Sequence, residues 1–263
     1  MTALLRAELV KVRTTKMWWG LLLGACALTI FQALITAFTA GVEPGPGQPE
    51  LPSLDDPAMV RSVYGSGFAA CYVFGVVFGI IGMAGEYRHQ TITPTFLATP
   101  RRSRVVVAKL VTYLGLGLFY GLVTTVIAVI AGVSVIAGKG FDIRLASDDV
   151  PQTLALAVLG VGVWTVFGLG LGTLIRNQVA AILIALGVTL VLDPLLTFGL
   201  GALDLGSVAR FLPSSASQAV LQGVSTVEDV DLLPWWGGLL VLLAYGTLFA
   251  AAGAALSRKR DIT

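Results

Sequence analysis

Five stretches of the chain run for more than twenty residues without a charged side chain: Met17–Val42, Ser62–Gly85, Leu110–Gly138, Val150–Ile175 and Leu232–Ser257. A sixth, Asn177–Leu203, carries one carboxylate, Asp193. A helix crosses the hydrocarbon of a bilayer with about 20 mainly apolar residues, each adding roughly 1.5 Å of rise. The pattern therefore predicts six spans, at 17–41, 62–85, 107–138, 151–175, 178–193 and 233–256. Together they make one all-α polytopic membrane domain over residues 1–263. The first stretch is too long for the apolar region of a signal peptide. Phe38 also stands three residues before the close of Ala40, where cleavage needs a small side chain. That segment is expected to remain as a signal anchor.

Composition points the same way. The chain is 56% hydrophobic and 12% charged, against about 25% charged residues in soluble domains. Its charges are clumped, so long helix faces would have nothing to offer water and the solvent must be lipid. A net charge of +2, spread along the chain, argues against nucleic acid as a partner. Cys26 and Cys71 lie inside apolar stretches, so neither a disulfide framework nor a zinc cluster is on offer. With the N-terminus inside, thirteen of the seventeen basic residues fall on inner segments, leaving Arg61, Lys139, Arg144 and Arg210 outside. The positive-inside rule then places both termini in the cytoplasm of a bacterial-type plasma membrane.

Between the spans the chain has several distinct segments. Residues 1–16 hold Leu5, Leu9 and Val12 at i, i+4 and i+7, with Arg6, Lys11 and Arg13 off that stripe. Such a segment reads either as an amphipathic helix in the headgroup layer or as a set of topology-determining charges. Trp18 and Trp19 mark one interface, Trp235 and Trp236 the other. The first outer loop is rich in proline (Pro44, Pro46, Pro49, Pro52, Pro57) and is expected to be extended. After the fifth span, Asp193-Pro194 has the form of an N-cap followed by proline at the first helical position. Pro213-Ser214-Ser215 offers a second cap, with Gly223 as a stop. Residues 194–223 thus read as short re-entrant helices in the outer leaflet, or as an ordinary loop.

Catalytic chemistry is scarce. The one histidine, His89, sits in a basic loop, so no span can supply a Ser–His dyad or a His-ligated metal. Asp193 is the one acid inside an apolar stretch, and its place before proline favours capping over ion coupling. No carboxylate pair lies at mid-membrane, which counts against a secondary transporter. The nearest approach to a phosphate-binding loop, Gly132 to Gly138-Lys139-Gly140, has the wrong spacing and no Ser or Thr after the lysine. Neither catalytic residues, a metal site nor a cofactor is therefore expected in this chain. GxxxG pairs occur at Gly20/Gly24, Gly75/Gly79, Gly117/Gly121 and Gly168/Gly172, and allow close helix approach.

The most informative segment is the basic stretch 86–104. Ile92, Phe96 and Leu97 are apolar in an otherwise polar run that carries Glu86 and Arg88 and ends in Arg101, Arg102 and Arg104. Lipid contact explains the charges of such a loop. The apolar residues, rimmed by polar ones, suggest a docking surface.

The run Glu86-Tyr87-Arg88-His89-x-Thr91-Ile92, followed by Leu97-Ala98-Thr99-Pro100-Arg101-Arg102-Ser103-Arg104 and Lys109, resembles the loop after the second span in permease subunits of type-2 ATP-binding-cassette exporters. The likeness extends to Glu8-Leu9-x-Lys11-x-Arg13 before the first span, the six spans, and the closing Arg258-Lys259-Arg260-Asp261. Gln90 departs from it, standing where such permeases commonly carry glycine. The resemblance implies that the loop is a cytoplasmic coupling helix. Glu86, Arg88, Thr91, Ile92, Phe96 and Leu97 would meet the ATPase, with the apolar three as anchors and Glu86 and Arg88 as rim.

It further implies a permease half that pairs with a second permease subunit and with ABC ATPase subunits, on which ATP and Mg would bind. The substrate would be hydrophobic or amphipathic: a drug, a lipid or a lipidated peptide. The rival readings are a channel or ion-coupled carrier without an ATPase and, with little residue support, an intramembrane hydrolase.

Overall fold

The computed structural model describes residues 2–42, 52–91, 94–95, 97, 102–147, 149–221 and 230–260, less the side chains of 102–103 and 257–260. Among these residues the order is α1 (Thr2–Thr14), α2 (Met17–Thr39), α3 (Pro57–Arg88), α4 (Arg102–Gly138), α5 (Val150–Leu174), α6 (Gln178–Gly187) and α7 (Asp193–Ala202). α8 (Gly206–Ala209), α9 (Pro213–Val220) and α10 (Trp235–Arg260) follow. Six helices are long and apolar enough to cross a membrane: Met17–Thr39, Pro57–Arg88, Arg104–Gly138, Val150–Leu174, Gln178–Ala202 and Trp235–Leu256. The protein is an all-helical, multi-pass membrane protein.

The second span starts five residues earlier than its apolar run. Asp56 is extended and its side chain accepts the Ala58 N–H at 2.8 Å, while Pro57 fills the first helical position, where no N–H is needed. The helix of the third span, α4, likewise starts before its apolar run, at Arg102.

α3 and α5 are the centre of the bundle, with 67% and 72% of their most apolar windows buried, against 22% for α2, the fifth span and α10. The outer helices turn Phe31, Leu183 and Leu240 outward, as lipid-facing helices do. The seam between α3 and α5 is built on two of the GxxxG pairs. A Cβ at Gly75 would lie 2.9 Å from Thr165 Oγ1, and one at Gly172 2.8 Å from the Ile80 carbonyl. At Gly79 and Gly168 a Cβ would drive still deeper into the carbonyls of Thr165 and Val76. The two backbones touch, which only glycine permits. Gly121 in α4 meets the Val158 carbonyl in the same way, whereas Gly20 faces open space and Gly24 only the tip of Phe74.

The fifth span differs from expectation. Asp193 does not end it: the residue is helical (φ −63°, ψ −49°), and its N–H bonds to the Val188 carbonyl five residues back. Val188–Leu192 is a π-helical turn, and the chain runs through Pro194 into α7. Proline lacks the N–H that would bond four residues back, and its ring crowds that carbonyl. The widened turn just before it makes room. The helix expected to begin at Pro194 is thus the C-terminal end of the fifth span itself.

Asp193 instead reaches the start of a different short helix. Its Oδ2 accepts the Ser214 N–H at 2.6 Å, at the start of α9. Pro213 opens α9, and Leu212 before it gives no side-chain cap, so the acceptor comes from a residue 21 positions away. α9 is pinned from the other side by Trp164, whose Nε1 donates to Ser217 Oγ at 2.9 Å. Gly223, expected as its stop, lies outside the described residues.

Candidate functional site

The loop between the second and third spans begins with a built helix end. His89 closes α3, Gln90 takes a left-handed conformation (φ 56°), and Thr91 N–H reaches back to the Glu86 carbonyl at 2.9 Å. With the Gln90 N–H on the Tyr87 carbonyl at 3.3 Å, this is a Schellman closure. A left-handed φ is one that glycine takes at no steric cost and glutamine does not. Past the turn, residues 94, 95 and 97 are helical, and the Thr95 hydroxyl donates to the Thr91 carbonyl at 2.8 Å. Arg88 and Thr91 are exposed, and Leu97 is 78% exposed. Ile92 and Phe96 lie outside the described residues.

Glu86 does not sit on the rim. It is 6% exposed, and its carboxylate is turned into the bundle. There it meets Lys109, 1% exposed, whose Nζ lies 2.9 Å from Glu86 Oε1 and donates to Glu8 Oε2 at 2.6 Å and to the Gly82 carbonyl at 3.1 Å. Three oxygens thus lie within 3.1 Å of the ammonium, two of them as hydrogen-bond acceptors. Lys11 closes the ring, at 2.8 Å from Glu8 Oε1 and 2.5 Å from Glu86 Oε1. Two carboxylates and two ammoniums balance, so the cluster is neutral as a whole. That balance is what lets Glu8, Glu86 and Lys109 leave water while Lys11 stays half-exposed; an unmatched buried charge would cost several kcal/mol.

Burial alone would lower the Lys11 pKa, but its hydrogen bonds to Glu8 and Glu86 and their charges hold it above the ordinary lysine value. A raised folded value means its contribution is in place at neutral pH and is lost only as the pH climbs through that value.

The quartet joins three elements: α1 through Glu8 and Lys11, α3 through Glu86, α4 through Lys109. For this reason α1 turns Glu8 and Val12 inward and leaves Leu9 at 39% exposure. Tyr120 of α4 adds a further tie by donating its hydroxyl to the Trp18 carbonyl. Tyr87, next to Glu86, lies under the guanidinium of Arg176 from the loop after the fourth span, 5.3 Å from ring centroid to Cζ.

A cavity of about 290 Å³ opens beside the quartet, walled also by Trp18, Phe78, His89 and Tyr113. Among the described residues no group of three or more His, Cys, Asp or Glu side chains could hold a metal.

Lys109 and Glu8 both stand in the stretches that carry the family resemblance, but nothing in those stretches pairs the two. The available signal was electrostatic: a lysine at the head of an apolar helix needs a buried acid, and Glu8 and Glu86 are solitary acids in basic segments.

The arrangement ties the root of the loop to three helices through ion pairs. A family profile described as ABC-2 family transporter protein matches residues 4–191, which take in α1, the quartet, the loop and most of the first five spans. Among curated proteins nothing matches the chain. With the match covering well over half its length, the chain belongs to the ABC-2 transporter family, as a membrane-spanning transport component.

Proposed function

We propose that this chain is the permease half of an ATP-driven exporter, assembled with a second permease subunit and ABC ATPase subunits. It moves a hydrophobic or amphipathic substrate (a drug, a lipid or a lipidated peptide) out of the cytoplasm or inner leaflet. ATP and Mg bind to the partner, and the force arrives at the loop after the second span. The observation that carries this reading is the neutral ion quartet at the root of that loop, tying its base to α1, α3 and α4.

In this reading the ATPase seats on Ile92, Phe96 and Leu97, with Arg88 and Thr91 beside them, while Glu86 fixes the loop to the bundle from beneath. Closure of the ATPase dimer displaces the loop, and the quartet makes α1, α3 and α4 follow as one body. The glycine seam carries the motion into α5, because backbones in contact have no slack to absorb it.

Co-purification tests the docking surface. Apolar anchors at an interface cost more than about 1 kcal/mol each when cut to alanine, so Phe96→Ala with Leu97→Ala should reduce retained ATPase by about tenfold or more. Arg101→Ala with Arg102→Ala should retain it, at matched membrane levels. The reverse pattern would show a loop that binds by charge, and ATPase-free material in every preparation would favour a channel or carrier.

The reading also puts both termini in the cytoplasm. Cysteines placed at residues 2 and 263 of a Cys-free variant should stay unlabelled by an impermeant thiol reagent in intact cells and react after permeabilisation. Labelling of either site in intact cells sinks that topology.

A further inference from the structure

On the side of the bundle away from the quartet, α3, α5, the fifth span and α9 line a second, half-open cavity of about 220 Å³. Three of its walls are aromatic: Phe68 and Tyr72 from α3 and Trp164 from α5. Tyr72 and Trp164 have ring centroids 5.0 Å apart, and Phe68 lies 6.0 Å from Tyr72. The fourth wall holds Asp193, which is 3% exposed. Its two oxygens are in different positions. Oδ2 is engaged with the Ser214 N–H at 2.6 Å, whereas Oδ1 is buried with no hydrogen-bond donor among the described residues. Among the described residues no lysine or arginine lines the cavity.

A carboxylate at this depth calls for a compensating cation, and the protein supplies none at the cavity wall. Aromatic faces attract a cation through the ring quadrupole and exclude water while doing so. A hard metal ion is a poor fit, since calcium takes about 6–8 oxygen ligands at short range and the walls are mainly carbon. A cavity of roughly 150 Å³ holds one benzene, so this one has room for a trimethylammonium-sized group. The π-helical turn that ends at Leu192 sets the direction of Asp193, and such turns frequently mark functional positions.

We propose that this cavity binds an organic ammonium group, quaternary or a protonated amine, with Asp193 Oδ1 as counter-charge and Phe68, Tyr72 and Trp164 as the aromatic cage. The site is independent of the ATPase reading, because it needs only the isolated chain. The same ammonium chemistry can reach it from a soluble cation or from the headgroup of an outer-leaflet lipid.

The test is equilibrium binding of radiolabelled choline to the purified chain in nanodiscs of phosphatidylglycerol alone, which carries no amine. Saturable binding is expected, competed by octyltrimethylammonium but not by 3,3-dimethylbutan-1-ol, the uncharged isostere of choline. Asp193→Asn keeps an acceptor for the Ser214 N–H and should weaken binding by about tenfold or more, the scale of one charged contact. Asp204→Asn, an exposed acid beyond the cavity, should bind as the wild type does.

Adding phosphatidylcholine to the nanodisc separates the two sources, and both outcomes support the site. Reduced choline binding marks a headgroup that enters from the lipid, and unchanged binding marks a soluble cation. No saturable binding to wild type, equal competition by the isostere, or full binding by Asp193→Asn each overturns the proposal. Should Asp193→Asn fail to elute as a folded monomer, Tyr72→Leu at the half-buried wall carries the test, and undiminished binding there overturns it too.

Discussion

Lys109→Met should lower the thermal unfolding midpoint of the detergent-solubilised protein by roughly 10 °C. Removing one member of a buried ion pair costs about 3–5 kcal/mol, and a chain of this size loses roughly 2–4 °C per kcal/mol. Methionine fills nearly the same volume, so the loss reports charge and not a cavity. What remains is two carboxylates, Glu8 and Glu86, sharing one half-exposed ammonium on Lys11. Neutralising an acid at the same time restores the balance, so Lys109→Met with Glu8→Gln should recover most of the loss. Lys11→Met should cost far less, since 41% of that side chain is in contact with solvent and exposed pairs contribute about 1 kcal/mol or less. Tryptophan fluorescence during heating measures all four proteins. A Lys109→Met midpoint within a degree or two of wild type, or a double variant worse than the single one, would show that the quartet does not carry stability.

Gly79→Val is expected to leave little folded monomer. The position faces the Thr165 carbonyl at the centre of the α3–α5 seam, and the neighbour is backbone, which cannot rotate away. Overpacking a core typically costs about 1–3 kcal/mol when side chains can shift, and here the two central helices must part along their length. Gly168→Val should behave alike, because it meets the Val76 carbonyl from the other side. Gly20→Val should be tolerated, since nothing lies within 4 Å of the added carbon. Size-exclusion profiles in mild detergent, at equal expression, distinguish these outcomes. Matching monomer peaks for Gly79→Val and Gly20→Val would mean that the seam opens at little cost, and the relay proposed from α3 to α5 would lose its basis.

Much of the architecture was legible along the chain. Each span is announced by its own run of uncharged residues, because the cost of placing a charge in hydrocarbon is charged locally, residue by residue. Six runs gave six helices, most with ends within a few residues of the apolar boundary. The larger shifts have local causes: an Asp–Pro cap that starts α3 early, and a π-helical turn that lets the fifth span continue.

Three features needed the fold. The dipeptide Asp-Pro occurs at 56–57 and 193–194 and does opposite things: the first opens a helix, the second lies inside one. Nothing in the dipeptide distinguishes them; the difference is whether a helix already arrives from the N-terminal side. Of the four GxxxG pairs, Gly75/Gly79 and Gly168/Gly172 interlock, while Gly20 faces outward. A spacing of four puts two glycines on one face of a helix but does not say what that face will meet. Glu86, in a motif that suggested an exposed rim, instead holds Lys109 and Lys11, and Lys109 bonds Glu8 across 101 residues. The sequence alone determined the number of spans, their order and the family resemblance, since hydrophobic transfer is short-ranged and additive. Only the tertiary structure decided which glycines touch, which acid caps a distant helix and which charges neutralise one another, because those energies belong to pairs brought together from far apart in the chain.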